Sequence, residues 1–395
     1  MVGSLDQLLA LPSGQQAARG LTHTPREIAQ QPATWRATCE ALSSQRERIG
    51  EFLRSAGVGS AGPAPTVLLV GAGTSHYIGS AIAAALQRAW RCRVLAVAST
   101  DLITNPDDWV LPDQPQLWIS FSRSGESAEG VAVLELARER YPAVRHLVVT
   151  CNKQGRMLHA SGSEASLCSV VLDDAVHDRG LAMTSSFSNM VIAGHWLAQL
   201  GELRAFEHVV QQLASMGASF LPRASELASR LAAASHTKVC FLGSGPLKAV
   251  AEESALKVLE LTAGRVHTMA ESFLGVRHGP LSGLDQHTLL VGLVCGNERV
   301  MRYEADLLRE VRDKSLAAAT VAIVPRDRPG QDVLADHTLS VEAPSRFLDD
   351  HRVPVDVMFA QLLALFLSIR LGLKPDQPSP NGAISRVVRQ ITIHR

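Results

Sequence analysis

Two segments of the chain repeat one pattern, in which a short apolar run ends in a Gly-x-Gly turn and a helical pattern follows. The first reads Val-Leu-Leu-Val-Gly-Ala-Gly at residues 67–73, and the second reads Val-Cys-Phe-Leu-Gly-Ser-Gly at residues 239–245. Such a run is typical of a strand buried on both faces, as strands of parallel sheets are. A chain of 395 residues is also long for one domain. The repeat therefore predicts two similar domains.

Further strand candidates alternate with helical patterns through both halves of the chain. This alternation predicts parallel pairing and an α/β fold of two tandem doubly wound sheets, each a flavodoxin-like three-layer sandwich. Strands are predicted at residues 66–70, 94–98, 117–121, 146–150 and 169–172 in the first half, and at 239–242, 288–294, 320–323 and 338–341 in the second.

The predicted domains are an N-terminal helical segment at 1–50, sheet domains at 51–215 and 220–375, and a C-terminal tail at 376–395 that contributes to the functional site. In the helical segment, Thr24 is expected to cap a helix, with Pro25 at its first position and Glu27 three residues after the cap. The end of the tail, at 387–393, is expected to be an edge strand.

The amino-acid composition argues against several classes of function. Lysine plus arginine and aspartate plus glutamate both number 38, so the basic surface that nucleic-acid binding requires is not indicated. The six cysteines are scattered, which favours reduced, buried thiols, and no cluster has metal-ligand spacing. Neither a signal peptide nor an apolar run of membrane-spanning length is evident. We expect a cytoplasmic protein without a metal or organic cofactor.

The strongest local signal is Ile-Ser-Phe-Ser-Arg-Ser-Gly-Glu-Ser at residues 119–127, where a strand ends and a helix begins. Free backbone N–H groups and the helix dipole favour an anion there, and the hydroxyls of Ser122, Ser124 and Ser127 add donors. A polar capping turn explains the same residues equally well. The turn at residues 71–75 ends in Thr74 and Ser75, but it lacks the third glycine of a dinucleotide site and the lysine of a P-loop.

The helical pattern at residues 249–261 is apolar except for Glu253, Lys257 and Glu260, which share one face. Such a trio is usually a solvated face. Because the remaining positions are almost all apolar, however, the helix is expected to be buried, and buried charges need partners or a cleft. His278 lies in the turn Arg-His-Gly-Pro, where a structural role is more common than a catalytic one.

Together these motifs resemble the sugar isomerase (SIS) family, in two copies that cover nearly the whole chain after residue 50. The second copy is similar to the isomerase half of glucosamine-6-phosphate synthase. Residues 177–186 (His-Asp-Arg-Gly-Leu-Ala-Met-Thr-Ser-Ser) and 376–380 (Asp-Gln-Pro-Ser-Pro) resemble more narrowly the group of galactosamine-6-phosphate deaminases, also labelled tagatose-6-phosphate ketose/aldose isomerases.

The resemblance implies a role for each matching residue. Leu181 and Ala182 would contact the sugar through their backbone. Glu260 would move a proton between C1 and C2, with Lys257 beside it. His278 would assist ring opening, supplied by the partner subunit of a homodimer or larger homo-oligomer that shares its active sites. The residues implied to bind the phosphate are Thr74, Ser75, Ser122, Arg123, Ser124 and Ser127.

Two departures from the family pattern bear on the reaction. A lysine near the synthase's C-terminus is matched here by Arg389, which stays protonated and forms no Schiff base. The sequence also has no counterpart of the synthase's glutamine-hydrolysing domain. We therefore expect conversion of galactosamine 6-phosphate to tagatose 6-phosphate with release of ammonia. The alternatives are plain aldose–ketose isomerisation, deamination of glucosamine 6-phosphate, and a non-catalytic sensor of sugar phosphates.

Overall fold

The computed structural model describes residues 4–160, 166–234, 236–325, 335–342, 347–388 and 391–394. The strands are β1 (Thr66–Gly71), β2 (Val94–Ala98), β3 (Gln116–Ser122), β4 (Arg145–Thr150), β5 (Leu167–Val171), β6 (Lys238–Gly243), β7 (His267–Glu271), β8 (Thr288–Leu293), β9 (Ala319–Pro325) and β10 (His337–Val341). The helices are α1 (Leu5–Leu9), α2 (Ser13–Arg19), α3 (Thr24–Ala29), α4 (Gln31–Ser43), α5 (Arg46–Ser55), α6 (Thr74–Trp90), α7 (Ser99–Thr104), α8 (Ala128–Arg140), α9 (Ser185–Ala198), α10 (Leu203–Ala233), α11 (Pro246–Leu261), α12 (Glu298–Asp313) and α13 (Asp349–Arg370). Short 3-10 turns lie at Pro106–Asp108, Arg156–Leu158, Asp174–Val176, Gly275–Arg277 and Pro280–Gly283.

The chain forms two compact units, each assembled from three segments. The first-sheet unit consists of Ala33–Asp178, Ser185–Val210 and Ser385–Arg395. The second-sheet unit consists of Met1–Pro32, Arg179–Thr184 and Gln211–Ile384. The tail predicted at 376–395 is thus divided between the units, and the proposed domain boundaries at 51–215 and 220–375 stay a prediction.

The first sheet is parallel throughout, in the order β2-β1-β3-β4-β5. Its strands are rich in Val, Leu and Ile, and every residue of β3 is buried, as expected for strands covered on both faces. The order reverses direction between β1 and β3, whose residues Val70 and Ser120 are paired. A crevice at such a switch point, outside the carboxyl ends of the strands, is where doubly wound sheets bind ligands.

The second sheet repeats this topology. Its order is β10-β9-β8-β6-β7, all parallel, so β6 and β8 correspond to β1 and β3. The two Gly-x-Gly turns also share a conformation, since Gly73 has φ 54° and ψ −126° and Gly245 has φ 57° and ψ −130°. The predicted fold class, two doubly wound α/β sheets after a helical N-terminal segment, is confirmed.

Several local predictions need correction. Strand β7 was not predicted, because His-Thr-Met-Ala-Glu is polar and forms an edge strand with no fully buried residue. Helix α3 begins at Thr24 with His23 as the cap residue, so Thr24 is not the cap. No strand is present at 387–388 or 391–393, the described part of the predicted edge strand.

Helix α13 is an exception to the expectation that no segment is long and apolar enough to cross a membrane. Among the described helices it is the one whose length and composition would allow it to span a bilayer. Nearly all of it is buried inside the second-sheet unit, where it packs against α11. The hydrophobic effect therefore accounts for its composition as that of a core helix. All six cysteines are buried and unpaired, as predicted.

The close approach of β1 to α6 leads to a first prediction. A Cβ added at Gly71 would lie 2.4 Å from the carbonyl carbon and 2.5 Å from the oxygen of Ser75, which are backbone atoms that must shift. We expect Gly71→Ala to cost about 1–3 kcal/mol through overpacking. The control, Gly14→Ala on helix α2, meets nothing within 4 Å and should be neutral or slightly stabilising. Thermal unfolding midpoints test this, and a Gly71→Ala midpoint equal to that of the control would contradict it.

Candidate active site

In the loop that follows β3, three serine hydroxyls accept hydrogen bonds from the loop's own backbone. Ser122 Oγ accepts from the N–H of Gly125 at 3.0 Å, and Ser124 Oγ accepts from that of Glu126 at 3.1 Å. Ser127 caps helix α8 by accepting from the N–H of Gly130 at 3.2 Å. A hydroxyl that already accepts still has its proton to donate. The loop thus presents O–H donors at a helix N-terminus, as an oxyanion requires.

The shape of this loop is fixed by the segment after β4. Gly125 has φ 61°, and a Cβ there would lie 2.9 Å from the Cα of Gly155, so the position requires glycine on both counts. The side-chain amide of Asn152 donates to the carbonyl of Ser124 at 2.8 Å, and the N–H of Met157 donates to the carbonyl of Gly125 at 3.0 Å. Sequence reasoning missed Asn152 and Gly155, because their role depends on pairing of β3 with β4.

Thr74 and Ser75 form the first turn of helix α6, directly after β1, and both are buried. Strands β1 and β3 are neighbours, so this turn and the serine loop follow adjacent strands at the switch point of the first sheet. Two helix N-termini, those of α6 and α8, therefore follow adjacent strand ends. All predicted phosphate ligands, Thr74, Ser75, Ser122, Arg123, Ser124 and Ser127, thus lie in two turns after neighbouring strands of one sheet.

The C-terminal tail contacts the serine loop. The buried guanidinium of Arg123 donates to the carbonyl of Arg386 at 2.5 Å, and the N–H of Ala128 donates to the carbonyl of Val388 at 3.1 Å. Arg386 in turn donates from Nε to the carbonyl of Asp178 at 2.8 Å. Arg386 was not singled out from the sequence, and it brings a second cation to this part of the unit. Arg389, the predicted counterpart of the family's lysine, lies outside the described residues.

Cys151 lies beside the serine loop and carries no charge. Its N–H donates to the carbonyl of Arg123 at 3.3 Å. Burial raises the pKa of its thiol well above the usual range, with the carboxylate of Asp178 contributing in the same direction. A neutral thiol adds no negative charge that would repel an anion.

At the corresponding strand end of the second sheet, two carboxylates accept hydrogen bonds from backbone N–H groups. Glu304 Oε2 accepts from the N–H of Cys295 at 2.8 Å, and Asp349 Oδ1 accepts from that of Gly296 at 2.6 Å. Both N–H groups follow β8, the counterpart of β3. Burial raises the pKa of Glu304. The acceptors in the first sheet are hydroxyls, which still have protons to donate, whereas these carboxylates have none when ionised.

Helix α11 carries a buried charge cluster of the three residues that the sequence singled out. Lys257 Nζ lies 3.3 Å from Glu253 Oε1 and 2.5 Å from Glu260 Oε2. The side chains of Lys257 and Glu253 are 0% exposed, whereas that of Glu260 is 22% exposed. The helix packs on β6, β7 and α13, which explains the burial. Glu260 is therefore the carboxylate of this cluster that a molecule from solvent can reach.

The lysine in this cluster keeps its charge. Burial by itself would lower the pKa of Lys257, but the carboxylates of Glu253 and Glu260 outweigh that effect and raise the pKa above its ordinary value. Removal of the ammonium would leave two carboxylates without this counter-charge, one of them fully buried. Lys257 therefore holds Glu260 in place by an ion pair.

The remaining predicted residues also belong to the second-sheet unit. His278 is exposed and closes the 3-10 turn Gly275–Arg277, donating its N–H to the carbonyl of Gly275 at 2.9 Å. Leu181 and Ala182 are buried, and the N–H of Leu181 donates to the carbonyl of Asp376 at 3.0 Å. The structure thus joins the two segments, 177–186 and 376–380, that carried the narrower resemblance. Among the described residues, no group of three or more His, Cys, Asp or Glu side chains is arranged to hold a metal ion.

The chain is similar to known proteins over nearly its whole length. Residues 63–200 match the SIS domain family. A Streptomyces coelicolor protein provisionally named D-galactosamine-6-phosphate deaminase AgaS is 38% identical, over 94% of this chain and 95% of that protein. The D-galactosamine-6-phosphate deaminase AgaS of Escherichia coli is 35% identical, over 96% and 97% respectively. The solved tagatose-6-phosphate ketose/aldose isomerase of Escherichia coli superposes with a TM-score of 0.83 at 32% identity, over 94% of this chain and 96% of that one.

The geometry of the serine loop predicts that it binds a free phosphate ion. Ser122→Ala with Ser124→Ala removes two donors and also leaves the N–H groups of Gly125 and Glu126 without these acceptors. A lost hydrogen bond to a charged group costs about 1.5–3 kcal/mol, so we expect the Kd for inorganic phosphate to rise at least about 10-fold. Titration calorimetry measures it, with the exposed Ser13→Ala on α2 as control. Phosphate affinity equal to that of the wild type in the double variant would refute the assignment.

Proposed function

Because the chain belongs to the SIS family, in the group of the D-galactosamine-6-phosphate deaminases, we propose that it converts galactosamine 6-phosphate and water to tagatose 6-phosphate and ammonia. The resemblance read from the sequence is thereby confirmed at the level of the family. The protein is an enzyme of amino-sugar phosphate metabolism. The observation that carries the proposal is Glu260, a carboxylate that solvent reaches, held by a buried lysine.

The proposed reaction begins with the open-chain amino aldose. Glu260 takes the proton from C2 while the aldehyde oxygen gains a proton from solvent, which gives an enaminol. Glu260 then returns its proton to C1, and the nitrogen gives up one proton to solvent. The product of this transfer is the C2 imine of the ketose. Water adds to C2 and the C–N bond breaks. The nitrogen leaves as ammonia, and a carbonyl group remains at C2. General base catalysis by a positioned carboxylate typically contributes about 10²–10⁴-fold to the rate.

Phosphate binding is proposed for the serine loop and the first turn of α6. Ser122, Ser124 and Ser127 present hydroxyls at the N-terminus of α8, and Thr74, Ser75 and Arg123 are proposed to complete the site. Binding energy from the phosphate, which does not react, can then be used to hold the sugar for proton transfer. No metal or organic cofactor enters this scheme.

Four further residues complete the proposed scheme. Leu181 and Ala182 contact the sugar through their backbone. His278 assists ring opening in the neighbouring subunit of a homodimer or larger homo-oligomer, which fits its exposure on the single chain. Arg389 replaces the family's lysine as a substrate-binding cation. We place the enzyme in the cytoplasm.

Isomerisation without loss of ammonia is the second candidate function. It is favoured by the name of the similar solved protein, a tagatose-6-phosphate ketose/aldose isomerase. The same base serves both reactions, because each needs one proton moved between C1 and C2. The nature of the C2 substituent, amine or hydroxyl, decides which reaction is observed.

We expect ammonia and tagatose 6-phosphate to form in a one-to-one ratio from galactosamine 6-phosphate. Glucosamine 6-phosphate, the N-acetyl forms of both sugars, and tagatose 6-phosphate alone serve as comparison substrates, with ammonia and ketose followed together. Ketose–aldose interconversion of tagatose 6-phosphate without any ammonia from the amino sugars would identify a plain isomerase and contradict the deaminase proposal.

The role of Glu260 predicts a specific kinetic effect. Glu260→Gln keeps the shape of the side chain and its contact with Lys257 but removes the base, so kcat should fall by about 10²–10⁴ while KM changes little. Glu252→Gln is the matched control, because Glu252 lies on the same helix and pairs with Lys248 at 2.8 Å. Near-normal turnover by Glu260→Gln, or a defect confined to KM, would return Glu260 to a structural role as the partner of Lys257.

A further inference from the structure

Three consecutive N–H groups in the loop before Thr184 are held by acceptors from distant parts of the second-sheet unit. The carboxylate of Glu27, on helix α3, accepts from the N–H groups of Arg179 and Gly180, the latter at 3.2 Å. The next N–H, that of Leu181, donates to the backbone carbonyl of Asp376 at 3.0 Å. The path of the backbone into Leu181 and Ala182 is therefore set by two residues far away in the sequence.

The side chain of Asp376 also accepts hydrogen bonds from the start of helix α3, the helix that carries Glu27. Its Oδ2 accepts from the N–H of Thr22 at 2.7 Å, and its Oδ1 accepts from both the N–H and the hydroxyl of Thr24 at 2.8 Å. Asp376 thus supplies an acceptor to the first turn of α3, where the side chain of His23, the cap residue, makes no capping hydrogen bond. We call Thr24, Glu27 and Asp376 the α3 clamp.

The clamp leaves no space for a side chain at position 180, which is a glycine. A Cβ on this residue would lie 2.8 Å from the hydroxyl oxygen of Thr24 and 3.0 Å from Glu27 Oε2. Glu27 and Thr24 are themselves buried. A buried carboxylate is costly unless hydrogen bonds compensate it, and here those bonds go to the backbone of one short loop. Such an arrangement fixes the position of the loop more effectively than it raises the free energy of unfolding of the protein.

We infer that the α3 clamp is a positioning device for the sugar, in which Glu27 and Asp376 act through the backbone of Leu181 and Ala182. The inference rests on the proposed function, in which these two residues contact the sugar. Glu27 and Asp376 belong to the second-sheet unit, whereas the serine loop at residues 122–127 belongs to the first-sheet unit. Their loss should therefore weaken recognition of the sugar and leave recognition of the phosphate ion intact.

The test compares two ligands in the full-length protein. Titration calorimetry gives Kd for galactosamine 6-phosphate and for inorganic phosphate in three proteins that all carry Glu260→Gln to slow turnover: the chain otherwise unchanged, the chain with Glu27→Gln and the chain with Asp376→Asn. Each clamp substitution keeps the side-chain shape but turns one acceptor oxygen into an NH₂ group, which meets backbone donors. We expect Kd for galactosamine 6-phosphate to rise about 10-fold, from one impaired hydrogen-bonded contact, with Kd for phosphate unchanged. Glu226→Gln, on the exposed face of α10, is the control.

Two kinds of result would overturn the inference about the clamp, and a third would contradict the proposed function instead. A rise in both constants together, or a lower unfolding temperature with no change in the ratio of the two, would make the clamp merely structural and overturn the inference. Unchanged affinity for both ligands in the clamp variants would overturn it as well. Absence of turnover by the wild type would instead contradict the proposed function, while the ratio of the two constants would still test the clamp.

Discussion

Parallel pairing places the carboxyl ends of all strands of a sheet at one edge, where the backbone N–H groups of each following helix need acceptors. The two sheets of this chain meet that requirement in different ways. After β3, the hydroxyls of Ser122, Ser124 and Ser127 accept from the loop and still have protons to donate. After β8, the carboxylates of Glu304 and Asp349 accept from the N–H groups of Cys295 and Gly296. The first repeat thus keeps hydroxyl protons that an external acceptor could use, whereas the second meets the same requirement with carboxylates.

The charge cluster on α11 follows from a second physical constraint, the cost of burying an ion. Lys257 is fully buried, and only the two carboxylates at 3.3 and 2.5 Å make its charge tolerable. This requirement fixes the rotamers of all three side chains. Since Glu253 is buried and Glu260 is partly exposed, the cluster presents one carboxylate to solvent in a defined position. A proton-transfer base needs that combination of placement and access.

Much of the fold was predictable from the sequence, because buried parallel strands leave a strong signal. The repeat at residues 67–73 and 239–245 identified both sheets, and apolar positions around Lys257 indicated a buried helix. Strand β7 left no such signal, since an edge strand need not be apolar. Glu304 was missed because α12 is charged overall, although Met301 and Leu308 share its buried face.

Distant contacts account for the other omissions. Thr24 and Glu27 have the spacing of a local capping box, but their partners include Asp376 and the loop at Gly180. Asn152, Gly155 and Arg386 hold the serine loop only because the chain returns to it. Such residues carry no periodic pattern, so nothing in the sequence indicated these positioning contacts.

The role of Glu260 in moving a proton between C1 and C2 can be measured by turnover of galactosamine 6-phosphate in deuterium oxide, followed by NMR of the ketose product. If Glu260 is the base, stereospecific deuterium appears at C1 in the wild-type reaction, and the rate of labelling falls in Glu260→Gln by the same factor as turnover. Labelling by Glu260→Gln at the wild-type rate would show that another group moves the proton and would contradict this role.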